Sequence, residues 1–276
     1  LTNDVSLFLL VPLTVAIGAM SNLPVLPMVV LEALAVNAGS TLSPIGNPQN
    51  LLLWQSAHLP FFTFVRGMLP ASTVMFALLV VLTLAWLPKG RVTLDRRAID
   101  EHRIAVPLAV MSLLALLSMV VLMEYDLALE GALGLLIPFA LIARDSLRRV
   151  DWALLVTFAA IFLGLGHFAE LGAVGRALDH FDFRQPLTVF LGGALASQVI
   201  SNVPATVLLL DRVNDPIALA VAANVGGFGL VIGSLANLIA LRLAKQPHGL
   251  RLFHRVSIPF LLVCAPLVYL AWRWLG

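Results

Sequence analysis

The sequence predicts an all-α polytopic membrane protein built from two inverted-topology repeats, each with a re-entrant hairpin and a broken helix. Three observations predict it. First, 60% of the 276 residues are hydrophobic and only 12% are charged, with a mean hydropathy of +0.98. A soluble domain carries about 25% charge, so these charges are too few to build a water-facing surface. Second, apolar runs close to the ~20 residues that cross a ~30 Å hydrocarbon core recur along the chain. They are continuous, which excludes the period-two alternation of an outer-membrane barrel. Third, an unusual stretch rich in Gly and Asn occurs twice.

The elements follow in order. Residues 5–19 are apolar but short. Residues 24–38 are apolar and run into the polar stretch GSTLSPIGNPQN (39–50). An aromatic, interface-like piece, HLPFFTF (58–64), precedes a full-length span at 68–87. The segment 88–103 is the main hydrophilic loop. Spans at 104–123 and 127–143 are separated by Glu124, Tyr125 and Asp126, and a short basic loop, RDSLRR (144–149), follows. Residues 152–168 form another span, and 169–185 read as an amphipathic interface segment. Residues 186–200 are apolar but short and end in SNVP (201–204). Residues 205–210 are apolar, 216–225 lead into GGFGLVIGSLAN (226–237), and a basic loop (242–255) precedes the last span at 256–272. By domain, 1–67 is the hairpin arm and broken helix of one repeat, 68–151 holds linking, scaffold-like spans, and 152–276 is the second repeat.

Most of the 17 Lys and Arg residues fall in the loops 88–103, 144–149 and 242–255. Basic loops stay in the cytoplasm, so all three belong on one face. That holds only if 186–210 enters and leaves the membrane on the same side, as a re-entrant hairpin with SNVP at its tip. Irregular backbone at that depth is tolerated where it lines a cavity.

A shift of 187 residues lays AVNAGSTLSPIGNPQNLLL (35–53) over AANVGGFGLVIGSLANLIA (222–240) without gaps. Asn37 meets Asn224, Gly39 meets Gly226, Gly46 meets Gly233 and Asn50 meets Asn237. Matched Asn and Gly carry more weight than matched Leu, because they are uncommon in a span and Gly permits unwound backbone. LTN (1–3) precedes the first stretch and ISN (200–202) the second. Tracing the chain from the cytoplasmic loops gives the two halves opposite topology. That is the plan of a secondary transporter with its site at mid-membrane, where helices are discontinuous.

Unwound backbone in hydrocarbon costs several kcal/mol per unsatisfied group. Ser, Thr and Asn can satisfy it without net charge. Tip carbonyl and amide oxygens suit a hard cation such as Na⁺, and helix N-termini aimed at the same place suit an anion.

Paired hairpin tips and paired Gly/Asn-rich broken helices resemble the ion transporter superfamily, which includes divalent-anion:sodium symporters, citrate transporters, arsenite permeases and a class of Na⁺/H⁺ antiporters. TNDV (2–5), IGNPQNLLL (45–53), VDWALLVTF (150–158) and SNVPATVLL (201–209) look like its arsenite-permease/citrate-transporter-like branch. The resemblance covers the chain, which opens inside a motif at Leu1 and is read as lacking N-terminal helices. It implies that Thr2, Asn3, Ser201 and Asn202, with Pro204 beside them, match ion- and substrate-binding tip positions, with Na⁺ at Asn3 and Asn202. It implies that Asn37, Gly39, Ser40, Thr41, Gly46, Asn47 and Asn50 line one cavity with Asn224, Gly226, Gly227, Gly233, Ser234 and Asn237. A homodimer in the bacterial inner membrane, bound by lipid and taking a small anionic substrate, is implied in the same way. The chain departs from the symporter pattern at the third tip position, where Asp4 and Val203 replace Thr. That loss counts against dicarboxylate recognition, and Asp4 adds a titratable group suited to H⁺ coupling.

Other features weigh less. Glu32 is an intramembrane carboxylate before Asn37 and a functional candidate. Glu130, His58 and His167 fit interfacial positions, and Trp54, Phe61, Phe62, Trp272 and Trp274 fit an aromatic belt. Cys264 lies alone in the last span, where packing is its ordinary role. No HExxH pair, facing Ser/His couple or paired aspartates point to an intramembrane enzyme, and no basic aromatic stripe points to nucleic acid. No resident cofactor is expected beyond a coupling ion, Na⁺ or H⁺. Arsenite efflux and Na⁺/H⁺ antiport stand beside anion transport.

Overall fold

The computed structural model describes residues 2–87, 106–124, 127–148 and 178–275, with Val150, Trp152, Ala153, Val156, Ala160 and Arg176 between them. The expected loop at 88–103, Tyr125 and Asp126, most of the span 152–168 with His167, and the first part of 169–185 lie outside the described residues. The chain divides into two compact units, Leu1–Arg96 with Ile161–Gly276, and Arg97–Ala160.

The first unit opens with α1 (Asn3–Ala19), α2 (Val25–Ser40), α3 (Pro48–Ser56) and α4 (Phe61–Trp86). The second unit holds α5 (Val106–Glu124), α6 (Ala128–Ile142) and α7 (Arg144–Arg148), with α5 packed on α6. The first unit resumes with α8 (Pro186–Ile200), α9 (Asn202–Leu209), α10 (Pro216–Val225), α11 (Leu235–Ala244) and α12 (Gly249–Leu275). The described elements are therefore helices, as the apolar runs require.

Length separates two kinds of helix. The 26-residue α4 and the 27-residue α12 are long and apolar enough to cross a bilayer. They pack together, and each buries a stripe of helical spacing: Phe64, Met68, Ala71, Ser72, Met75 and Leu79 on α4, and Phe253, Ser257, Phe260, Cys264 and Val268 on α12. Serines sit inside these stripes while Phe62, Leu84, Leu262 and Trp274 are exposed. That inversion suits lipid, where close packing rather than water drives helix association. By contrast α2, α3, α10 and α11 have 16, 9, 10 and 10 residues. At 1.5 Å per residue each is at most ~24 Å long, short of the core thickness.

Each break has a local cause. Pro48 cannot donate an N–H and sits at the first position of α3, capped by Asn47. Downstream, α10 runs out at Gly226, and α11 starts only at Leu235. Between α8 and α9 the chain turns on a single residue, Ser201, at φ 74 and ψ 156. Glycine alone visits that region freely, so Ser201 is held there by its surroundings at a cost of about 1–3 kcal/mol.

Packing pairs the elements in a regular exchange. α1 lies on α2 and on α11, while α9 lies on α10 and on α3. α2 touches α11 and α10 touches α3; α2 touches α12 and α10 touches α4. One expected boundary moves: α12 starts at Gly249, so Arg251 and Arg255 stand on its first turns rather than in a loop. Both are exposed, which lets the helix run past the apolar zone without burying charge.

Candidate functional site

The two broken stretches meet, and their asparagines bond across the junction. Asn224 on α10 donates from Nδ2 to Asn50 Oδ1 at 2.6 Å and to its own Ala220 carbonyl at 2.7 Å. Its Oδ1 accepts from Asn47 Nδ2 at 2.9 Å and from Thr41 Oγ1 at 3.2 Å. On the other side, Asn37 of α2 donates from Nδ2 to Asn237 Oδ1 at 2.9 Å, and its Oδ1 accepts from Ser234 Oγ at 3.0 Å.

These bonds correspond under the 187-residue shift. Asn224 to Asn50 is the counterpart of Asn37 to Asn237. Asn47 to Asn224 is the counterpart of Ser234 to Asn37. The amide of Asn237 donates to the Gly227 carbonyl at 2.9 Å, and the amide of Asn50 reaches the carbonyls of Ser40, Thr41 and Ser43 at 3.3, 3.0 and 3.1 Å. Thr41 and Ser40 hydroxyls turn back to the Asn37 carbonyl at 2.9 and 3.1 Å. Asn50 and Asn237 thus close carbonyls at the breaks, and the pairs Asn224–Asn50 and Asn37–Asn237 tie one stretch to the other. All of these side chains are buried, where a hydrogen-bonded network is strong and an unpaired member is costly.

Glycine is required at two matched positions. A Cβ on Gly46 would overlap the Ser40 carbonyl, and one on Gly233 would lie 2.5 Å from the Gly226 oxygen. Gly39 differs: it is exposed, and an added Cβ would meet nothing.

The expected tip residues, at the starts of α1 and α9, join the same region. The Asn3 backbone N–H donates to the Gly46 carbonyl at 2.9 Å, and Asn202 lies beside Gly227. Both tip asparagines are buried, and each turns its Oδ1 back to the next backbone N–H, Asp4 and Val203, at 2.9 Å. Pro204 is buried in the first turn of α9, where a missing N–H costs nothing. The helices α1, α3, α9 and α11 all start at the tips or just after the breaks. Thr2, Ser201 and Ser234 give their helices no side-chain cap, and at α1 and α9 the N–H groups of Asn3, Asp4 and Val203 bond within the protein instead.

Several members of this region were not legible as functional. Gln198, the lone long polar side chain of α8, holds the second break: Nε2 donates to the carbonyls of Gly226 at 2.6 Å and Phe228 at 3.0 Å, and Oε1 accepts from Leu230 N–H at 2.8 Å. Ser257 and His254 of α12 accept from the N–H groups of Gly229 at 2.8 Å and Val231 at 3.0 Å. Gln49 is 1% exposed and its Oε1 has no partner among the described residues. An isolated polar residue in an apolar run was the available signal for Gln198. Asp4 leaves one buried oxygen, Oδ1, without a described partner. Glu32 accepts the Thr14 hydroxyl on Oε1. Among the described residues no cluster of His, Cys, Asp or Glu could hold a metal ion.

Residues 1–216 match a family model described as Citrate transporter. The inner membrane protein YbiR of Escherichia coli (strain K12) is 40% identical over 270 residues, which cover 98% of this chain and 72% of the relative. An uncharacterized transporter of Methanocaldococcus jannaschii is 31% identical over 254 residues, covering 89% of this chain and 67% of the relative. A silicon efflux transporter of Oryza sativa subsp. japonica is 24% identical over 333 residues, covering 89% and 68%. The chain spans about two thirds to three quarters of the length of these relatives.

Proposed function

The chain belongs to the citrate transporter family, and from that premise we propose that it moves a small oxyanion across the bacterial inner membrane by alternating access, driven by Na⁺ or H⁺. It is an integral membrane transport protein and not an enzyme.

One observation carries the reading: the matched asparagine bonds that join the two breaks, Asn224 to Asn50 and Asn37 to Asn237. A pair of inverted repeats crossing at a shared centre accounts for bonds that recur under a sequence shift, and for helix contacts that exchange between halves. The 15-residue α8 and 8-residue α9 are each too short to cross, which favours a re-entrant hairpin. The uncapped N-terminus of α11, beside Ser234 at the second break, favours an anion. Carbonyls at the same breaks favour a monovalent cation. Thr2, Asn3, Asp4, Ser201 and Asn202 are the proposed ligands, while the central asparagines hold the site together. The protein as a homodimer among lipids completes the proposal.

A second reading has its own support. The unpartnered buried atoms Asp4 Oδ1 and Gln49 Oε1 are acceptors, and among the described residues no Lys or Arg enters the network. A neutral oxyacid that donates hydrogen bonds, as arsenous or silicic acid does, fits such a lining.

The test is transport in proteoliposomes with citrate, sulfate, phosphate, arsenite and silicic acid, under imposed Na⁺ and pH gradients applied separately. Gradient-driven movement of an oxyanion, abolished in Asn202→Ala, is the expected result. Movement of arsenite or silicic acid alone selects the second reading. Full transport by Asn202→Ala removes the hairpin tip from the site.

A further inference from the structure

Glu32 is half-buried but carries a buried carboxylate oxygen. It stands on α2, five residues before Asn37, or about 8 Å along the helix axis at 1.5 Å per residue. It has no counterpart in the second half, where the 187-residue shift places Leu219. Its Oε1 accepts the hydroxyl of Thr14 on α1. Its Oε2 is buried and has no partner among the described residues.

No cation answers it. α2 packs against α1, α4, α11 and α12. Of the charged and titratable residues on those helices, Asp4 on α1 has the same sign. Arg66 on α4, Arg242 on α11, and Arg251, Arg255 and Arg273 on α12 are all exposed. His254 is bonded to the Val231 N–H, Tyr269 lies against Phe190 and Trp272, and Cys264 is buried in the α12 packing stripe. The only ion pairs among the described residues are Arg148–Asp145 and Arg212–Asp179. A carboxylate charge held in hydrocarbon without a cation is unfavourable, and it neutralises by taking a proton.

The location matters as much as the chemistry. Thr14 is on the helix that starts at Asn3, whose N–H donates to the Gly46 carbonyl in the first break; Glu32 is on the helix that ends at that break. The Thr14–Glu32 bond therefore ties together two helices that both reach the first break.

Resting on the transport function proposed above, we propose that Glu32 is the proton-binding coupling residue of this carrier, taking a proton on Oε2 while Thr14 holds Oε1. The step is a simple proton transfer. The Oε2–H bond forms with a proton from water on one side of the membrane. It breaks to water on the other side when the α1–α2 contact rearranges. Nothing is oxidised or reduced.

The experiment has two arms on the full-length protein. In lipid nanodiscs without solute, the pH-difference infrared spectrum of the wild type is expected to contain a protonated-carboxyl band that Glu32→Gln removes. In proteoliposomes, with the five solutes named above as probes, Glu32→Gln is expected to lose accumulation driven by a pH gradient, and Glu32→Asp to restore part of it. A purely structural role would not give the infrared loss or the carboxyl-dependent rescue. If Glu32→Gln does not fold, Thr14→Val decides: it keeps the carboxyl, loses its donor, and is expected to displace the band. A band that survives Glu32→Gln or stays in place in Thr14→Val overturns the proposal. So does accumulation by the wild type that follows Na⁺ and ignores the pH gradient. A wild type that moves none of the solutes defeats the transport reading, while the infrared arm still decides whether Glu32 takes the proton.

Discussion

At the residue scale, the asparagines differ in how many groups depend on them. Asn224 makes four side-chain hydrogen bonds, to Asn50, Ala220, Asn47 and Thr41. Asn37 makes three, to Asn237, Ser234 and, at 3.5 Å, the Gly227 carbonyl. Truncating either leaves buried partners unpaired, at about 1–3 kcal/mol for each group stranded. Losing Asn224 strands Asn50 Oδ1 and one N–H of Asn47, and losing Asn37 strands Asn237 Oδ1 and the Ser234 hydroxyl; beyond these Asn224 has two further bonds, at 2.7 and 3.2 Å, and Asn37 one, at 3.5 Å. Asn224→Ala is therefore expected to lower the melting temperature in detergent more than Asn37→Ala. Equal losses, or a larger loss for Asn37→Ala, would show that the network is not the main tie between the breaks. Such side-chain identities explain why the sequence alone singled out these residues but not their partners. Asn and Gly stood out because apolar helices seldom contain them, yet which carbonyl each asparagine closes depends on the third dimension.

At the element scale, the broken helices depend on backbone passing close to backbone. Gly46 faces the Ser40 carbonyl and Gly233 faces the Gly226 carbonyl, so neither neighbour can swing aside as a flexible side chain would. Gly46→Ala and Gly233→Ala are each expected to cut the yield of folded protein sharply. Gly39→Ala, with open space around it, is expected to change stability by no more than about 0.5 kcal/mol. Fluorescence-detected size exclusion of the three variants checks this. A well-folded Gly46→Ala would mean the first break is not the tight turn described here. The contrast also shows what was legible in the sequence. The 187-residue shift matched Gly39 with Gly226 as firmly as Gly46 with Gly233, because identity reveals repetition but not packing. Helix type and the places of the breaks followed from apolar runs ended by Pro and Gly. The grip of Gln198, Ser257 and His254 on the second break did not follow, because it joins α8 and α12 to residues 28 and 23 or more positions away.

At the scale of the whole molecule, the open physical question is on which side each loop lies. The loop with Arg144 and Arg148 and the loop with Lys245 both carry positive charge, and positive loops remain in the cytoplasm. Among the described residues between them lie α8, α9 and the α10–α11 broken helix, with a mixed-charge group at Asp179, Asp182, Arg184, Asp211 and Arg212. If α8 and α9 return to the side they entered from, the two basic loops share a face. If they form one continuous crossing, the loops face opposite sides and the positive-inside pattern fails. Asp145 and Gln246 are exposed and can be replaced without removing a basic residue, and Ser56 is exposed at the end of α3. In a Cys264→Ser background, Asp145→Cys and Gln246→Cys are expected to react with a membrane-impermeant thiol reagent only from the cytoplasmic face, and Ser56→Cys only from the outside. Cys264 is buried in the α12 stripe, and serine keeps its size, so the background should fold. Labelling of Asp145→Cys and Gln246→Cys from opposite faces would make α8–α9 a crossing. The two halves would then run parallel, the matched asparagine bonds would lose their explanation as crossed repeats, and the alternating-access mechanism would fall with it.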